Sequence, residues 1–351
     1  MNTTKTPIRV NIILIILILG LVAFVLYFYF FINPSQVVGI LSRTNLAYYS
    51  LAFVSYFLFA LFSGLVWHNL LNNLSLKIGF RKIFLYTWVG LFFDAVVPQL
   101  GWSGDISKTY MLAKDSSQDT GKVGASVVGQ KIFTMTFTIV ALTLGLGFLL
   151  FRPIRPPLPL IDTLLIAIVL ALSILSLIIV YFVSVKPTAT KTLLNWTIRR
   201  VLFLRRKWNP ENFRIKAEEF LTKFHVGIKQ LGANPKCLIK PIIYSFVSFS
   251  LEVSVIFFAF VALGYPIPVD KVLIVFTLTG TLQAVGITMF GFAEIVMTSV
   301  FAFLGLPVDL SFSVTLLTRV VTLWFRLIIS YVALQWAGIE IMTKKQNSNP
   351  A

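Results

Sequence analysis

Four charged residues stand in otherwise apolar sequence, and they come as two acid–cation pairs of nearly equal spacing. Asp105 precedes Lys131, and Glu294 precedes Arg319 at a separation only one residue shorter. Each acid closes a short apolar stretch broken by glycine; each cation follows in a long hydrophobic run. The first stretch reads Phe92-Phe93-Asp94-Ala95-Val96-Val97-Pro98-Gln99-Leu100-Gly101-Trp102-Ser103-Gly104-Asp105. The second reads Gly286-Ile287-Thr288-Met289-Phe290-Gly291-Phe292-Ala293-Glu294. An ionised side chain at mid-membrane costs about 2.5–3.5 kcal/mol on insertion scales, so such groups face a cavity or each other. Two readings follow. Lys108, Lys131 and Arg319 can meet an anionic headgroup while Asp105 and Glu294 balance and orient them. Alternatively, the acids are ion-pair partners that only lock short segments to long helices. Asp94, Glu252 and Arg326 are secondary candidates in the same apolar setting. Recurrence in two halves favours function for the set, because interrupted segments in corresponding positions point to a transport site.

Other chemistries find little footing. No paired-aspartate, metal-ligand or nucleophile spacing appears, and no phosphate-binding Gly-x-x-x-x-Gly-Lys-Ser/Thr loop is present. The single cysteine, Cys237, rules out a disulfide framework. Two isolated histidines, His68 and His225, do not make a metal centre, so neither metal nor cofactor is expected.

The elements that must hold these charges are hydrophobic helices. The chain is 57% hydrophobic and only 12% charged, and its mean hydropathy is +0.88. Soluble proteins carry about 25% charged residues, so this composition lies far from theirs. We read an all-α polytopic membrane protein with about six full crossings, at 10–31, 47–71, 124–151, 160–185, 238–263 and 311–342. At about 20 residues per crossing each is long enough. Residues 83–97 are too short to cross, and Pro98 ends helices at the preceding residue. Residues 272–306 are too long for one crossing and too short for two. Both are read as re-entrant hairpins, with turns at Pro98, Gly101, Gly104 and Gly291. Ser103 or Asp105 is expected to cap the helix returning from the first.

Charge sets the orientation. The net charge is +17. Between Lys186 and Lys240 stand 13 basic residues against three glutamates, which assigns this stretch to the cytoplasm. Both termini then lie inside, the first hairpin opens to the cytoplasm and the second to the outside, an inverted repeat of about 47–185 and 238–342. Residues 1–342 form a single transmembrane domain, 186–237 a basic cytoplasmic loop, and 343–351 a disordered tail. Within the loop, Asn209-Pro210-Glu211 is a helix start. Phe213, Ala217, Phe220, Phe224, Ile228 and Leu231 then share one face, so 210–231 is an amphipathic helix on the membrane or the bundle. Nucleic-acid binding is not expected, since no recognised module accompanies the charge.

At these motifs the chain resembles the transmembrane, flippase-like domain of the lysylphosphatidylglycerol synthase family. Pro98, Gly101, Gly104, Asp105 and Lys108, with Tyr110 and Leu112, resemble its first turn; Gly291, Glu294, Leu304-Gly305-Leu306 and Arg319 resemble the second. The likeness extends over roughly 10–342. Lys131 stands where that family usually has arginine and Thr288 near an expected proline, and a stand-alone form without the aminoacyl-transfer domain is expected. The resemblance implies a non-enzymatic plasma-membrane flippase or scramblase for an anionic phospholipid or a polyprenyl-phosphate-linked headgroup. A membrane-embedded enzyme using Asp94, Asp105 or Glu252 as acid or base is the alternative. A non-transporting accessory subunit is the other.

Overall fold

A computed structural model describes residues 34–97, 102–151, 160–204, 210–284 and 291–347. Every element among the described residues is helical. The expected crossing at 10–31 and the turn residues Pro98 and Gly101 lie outside them.

A short helix α1 (Pro34–Leu41) leads into α2 (Leu46–Asn73). The side chain of Asn45 begins α2, accepting from the amides of Ala47 at 3.0 Å and Tyr48 at 3.3 Å. Two shorter helices come next, α3 (Phe80–Val96) and α4 (Ser103–Ser116). Then come the long α5 (Thr120–Phe151) and α6 (Leu160–Val185). The second half repeats the order. After α7 (Pro187–Leu204) and α8 (Glu211–Ala233), α9 (Ile239–Ala262) precedes a broken pair, α10 (Val269–Ala284) and α11 (Phe292–Phe303). The last helix has three parts: α12 (Val308–Arg319), a π-helical segment Val320–Phe325, and α13 (Arg326–Asn347).

Among the described residues, five stretches are long and apolar enough to cross a membrane: Leu46–Asn73, Thr120–Phe148, Ala167–Val185, Pro235–Ala262 and Val308–Ile339. The protein is therefore multi-pass. The α6 helix turns Leu164, Ile168, Leu172, Leu175 and Phe182 outward, a surface that suits lipid rather than water.

The centre of the bundle is an antiparallel pair, α2 against α9. At one end the Asn45 amide donates to the Ala262 carbonyl (2.7 Å), and at the other Asn73 Nδ2 donates to the Cys237 carbonyl (2.9 Å). Tyr56, Ala60 and Val255 fill the space near it. The two short helix pairs begin at opposite ends of this axis, because α3 follows Asn73 while α10 follows Ala262. A lysine closes the open end of each. Lys82 pairs with Asp115 between α3 and α4, and Lys271 Nζ donates to the Leu304 carbonyl (2.7 Å) between α10 and the end of α11.

Two expectations change. The basic segment 186–237 is mostly helix, not loop: α7 starts at Pro187, whose missing amide costs nothing in a first turn, and buries Thr190 and Ile198. The C-terminal tail is helical through Asn347; no glycine or proline interrupts residues 339–349, so nothing stops the helix at 342. The helix read at 210–231 corresponds to α8. It lies on α5, with Phe220, Phe224 and Leu231 packed into the cluster of Leu70, Leu74 and Val123.

Candidate functional site

The first broken pair is held by its own backbone before any charge is paired. A Cβ on Gly104 would overlap the Gly90 carbonyl and come within 2.5 Å of Asp94 Oδ2. Gly104 is therefore not the turn residue expected; it is a helical position where α4 touches α3. Nor does Ser103 or Asp105 cap α4. That task falls to Asp94, reaching across from α3: its Oδ1 accepts from the Gly104 amide (2.7 Å) and the Ser103 hydroxyl (3.1 Å). An acid placed there also complements the positive end of the helix dipole. Asp94 thus has a structural task of its own.

Freed of capping, Asp105 turns to the cations. Its two oxygens pair separately, Oδ1 with Lys108 (2.9 Å) and Oδ2 with Lys131 (3.2 Å). Lys108 is buried. Its Nζ donates to Gln130 Oε1 (3.2 Å) and lies 5.2 Å from the Trp67 ring, while Lys131 Nζ lies 5.2 Å from the Trp102 ring. Gln130 is fixed in turn by donating to the Ser63 hydroxyl (2.9 Å) and carbonyl (3.0 Å). The indole faces stabilise these ammonium groups electrostatically and tie the cluster to α2 through Trp67, whose Nε1 donates to Ser126 (2.9 Å).

The second pair is built differently and ends the same way. Gly291 has φ +95°, in the region favouring glycine, and begins the turn into α11. Glu294, three residues on, accepts from the Gly291 amide through Oε2 (2.9 Å) and from Arg319 Nε through Oε1 (2.6 Å). One carboxylate closes the turn and clamps the cation of the last helix. A Thr298–Thr315 hydrogen bond of 3.2 Å and the Tyr49 hydroxyl on the Leu317 carbonyl (2.8 Å) hold the surroundings of Arg319.

All five principal candidates are thus brought into two clusters, Asp105–Lys108–Lys131 and Glu294–Arg319. Glu252 and Arg326 belong to neither; they act on each other and on Tyr56. Sequence reasoning missed Gln130, Ser63, Trp67, Trp102 and Tyr56. Only the adjacency of Gln130 to Lys131 and of Trp102 to the first glycine break could have pointed to any of them.

Beside Asp105 opens a cavity of about 540 Å³. Its walls come from α4 to α8 and include Trp102, Ile106, Val127, Val183, Leu193 and Phe224. Its lining is almost wholly apolar, as lipid chains require, and Asp105 is the one charged residue among the described residues in it. Among the described residues no group of three His, Cys, Asp or Glu side chains could hold a metal ion.

Comparison with known proteins identifies the family. The family model for the transmembrane region of lysylphosphatidylglycerol synthase matches residues 14–330, and the chain belongs to that family. It is similar to a UPF0104 membrane protein of Methanocaldococcus jannaschii, 23% identical over 92% of this chain and 94% of that protein. It is also similar to one of Pyrococcus horikoshii, 22% identical over 88% and 92%, and one of Methanothermobacter thermautotrophicus, 22% identical over 94% and 97%. No solved structure matches it.

Proposed function

We propose that the protein is a plasma-membrane lipid flippase or scramblase, moving an anionic phospholipid or polyprenyl-phosphate-linked headgroup through the polar interior while its tails stay in lipid. The observation that carries this reading is the reciprocity of the two acid–cation clamps. Each short helix pair offers one acid to the cation of the long helix that follows it, Asp105 to Lys131 and Glu294 to Arg319.

The reading includes an inverted repeat of two re-entrant hairpins. It is supported by the antiparallel run of α2 and α9, by the opposite ends at which the hairpins open, and by exchange of partners between halves. The long helix of the first half packs on its own α4 and on α10 of the other half. The long helix of the second half packs on its own α11 and on α3 of the first. Broken helices meeting inside such a repeat are how transporters line a site with backbone without exposing it to lipid. The basic α7–α8 segment would face the cytoplasm, with both termini on that side. Movement would be passive or ion-coupled.

The test is reconstitution in liposomes containing fluorescent phosphatidylglycerol, with loss of outer-leaflet signal followed by a membrane-impermeant quencher. Wild-type protein is expected to equilibrate the leaflets. Arg319→Ala and Asp105→Ala, each leaving a counter-charge unpaired, are expected to abolish it. Protein that is folded yet leaves leaflet distribution as in empty liposomes would overturn the proposal, and chemical alteration of the lipid would point to the enzyme.

A further inference from the structure

The final helix carries two arginines seven residues apart. In an uninterrupted α-helix that spacing places them on one face, since seven residues come within about 20° of two full turns. Here they do not share a face. Residues Val320–Phe325 are π-helical, and a π turn adds one residue to the helix, rotating everything beyond it by about 100°. Arg319, before it, meets Glu294 of α11. Arg326, after it, meets a different set of groups: Tyr56 of α2 in hydrogen-bonding range and Glu252 of α9. The helix changes neighbours at the same point, with α12 against α11 and α13 against α3.

The Arg326 site is also the least satisfied of the three cationic positions. Arg326 Nε is buried with no hydrogen-bond partner among the described residues. Glu252 makes no hydrogen bond or ion pair with any described residue, and the charges that act on it are Arg326 and Lys131. By contrast, Arg319 and Lys131 each hold a carboxylate at 3.2 Å or less. A guanidinium whose Nε is buried and unpaired gains from an acceptor that fits its fork, and a phosphodiester does.

We propose that Arg326 is a third headgroup station, apart from the two clamps, which takes the phosphodiester of an anionic lipid in competition with Glu252. This deepens the transport reading and rests on it. The phosphate would be received at Lys108 and Lys131, handed to Arg326, and released past Arg319. Glu252 is the negative charge that the phosphate must outbid at the middle step, so the site binds weakly enough to let go. The π segment is what aims this arginine between the halves.

Binding tests it apart from transport. The detergent-solubilised full chain is titrated with dioctanoyl-phosphatidylglycerol, with dioctanoyl-phosphatidylcholine as the zwitterionic control, and saturation is read from the shift in melting temperature. Arg326→Gln is expected to weaken phosphatidylglycerol binding roughly tenfold, as loss of a charge-assisted phosphate contact does, with Arg326→Lys in between. Glu252→Gln is expected to tighten it, the opposite sign. A merely structural Arg326–Glu252 pair would make both variants weaker or leave both unchanged, and either result overturns the station. So does a wild type that does not discriminate between the two lipids. Normal leaflet exchange with unaltered Arg326→Gln binding would sink the station alone; selective binding without exchange would sink the transport reading alone.

Discussion

At the scale of single residues, the charges divide into those that shape backbone and those that hold a counter-charge. Asp94 and Glu294 each bond a backbone amide at a helix start, but only Glu294 also holds a cation. This double task makes the Glu294–Arg319 pair costly to break from one side. Removing one partner of a buried ion pair costs about 3–5 kcal/mol, because the other charge is left uncompensated. Glu294→Gln and Arg319→Gln should each lower stability in detergent markedly, whereas the double variant should recover much of the loss in denaturant titrations. Leaflet exchange should stay absent in all three, which separates folding from function. Gly104→Ala probes a different term. Its methyl would collide with the Gly90 carbonyl and the Asp94 carboxylate, an overpacking that costs about 1–3 kcal/mol. A lowered melting temperature is expected, and one equal to wild type would mean that α3 and α4 are not in contact there.

The element scale is where the sequence speaks most plainly, and where its silence has clear causes. Long hydrophobic runs located α2, α6 and α9 to within a few residues, because a membrane demands about 20 apolar residues per crossing. The breaks at Pro98 and near Gly286 isolated α3 and α10, and helical periodicity found α8. The α7 helix was hidden by its composition: threonines, lysine and two arginines read as loop until its docking against α6 and α8 is seen. The π segment was hidden as well, since no residue type encodes it. The clamps Asp105–Lys131 and Glu294–Arg319 were legible as spacing, but Asp94 as a cap and Gln130 as a brace required contacts across helices. The α6–α7–α8 junction shows what such contacts add. His225 of α8 joins the Ser184 carbonyl of α6 (2.9 Å) and the Thr190 hydroxyl of α7 (2.7 Å). Burial holds its imidazole below the usual value of 6.5, against a smaller opposing effect of the Ser184 carbonyl. A folded-state value below the unfolded one means stability that is full above about pH 6.5 and lost as pH falls through the folded value. The melting temperature should therefore fall on acidification from about pH 7.5 to about pH 5, and His225→Gln should lack that increment.

For the molecule as a whole, the proposed transport requires that its two halves point opposite ways. Two short hairpins entering from one face would leave both clamps on that side, and no headgroup could be passed across. Entering from opposite faces, as proposed, they would leave a polar septum at the level of Glu252 and Arg326. The chain carries a natural reporter of this arrangement. Cys237 is exposed at the end of α9 where the first hairpin opens, and Tyr265 is exposed at the other end, where the second opens. In right-side-out vesicles a membrane-impermeant maleimide should fail to label Cys237 until the membrane is permeabilised. In a Cys237→Ser background, Tyr265→Cys should label at once, and inside-out vesicles should reverse both results. Labelling of both positions from the same face would leave α2 and α9 without a membrane between their ends. The clamps would then be structural pins in a protein that moves nothing. Opposite labelling, together with leaflet exchange that fails when either clamp is cut, would identify the septum as the barrier a headgroup crosses.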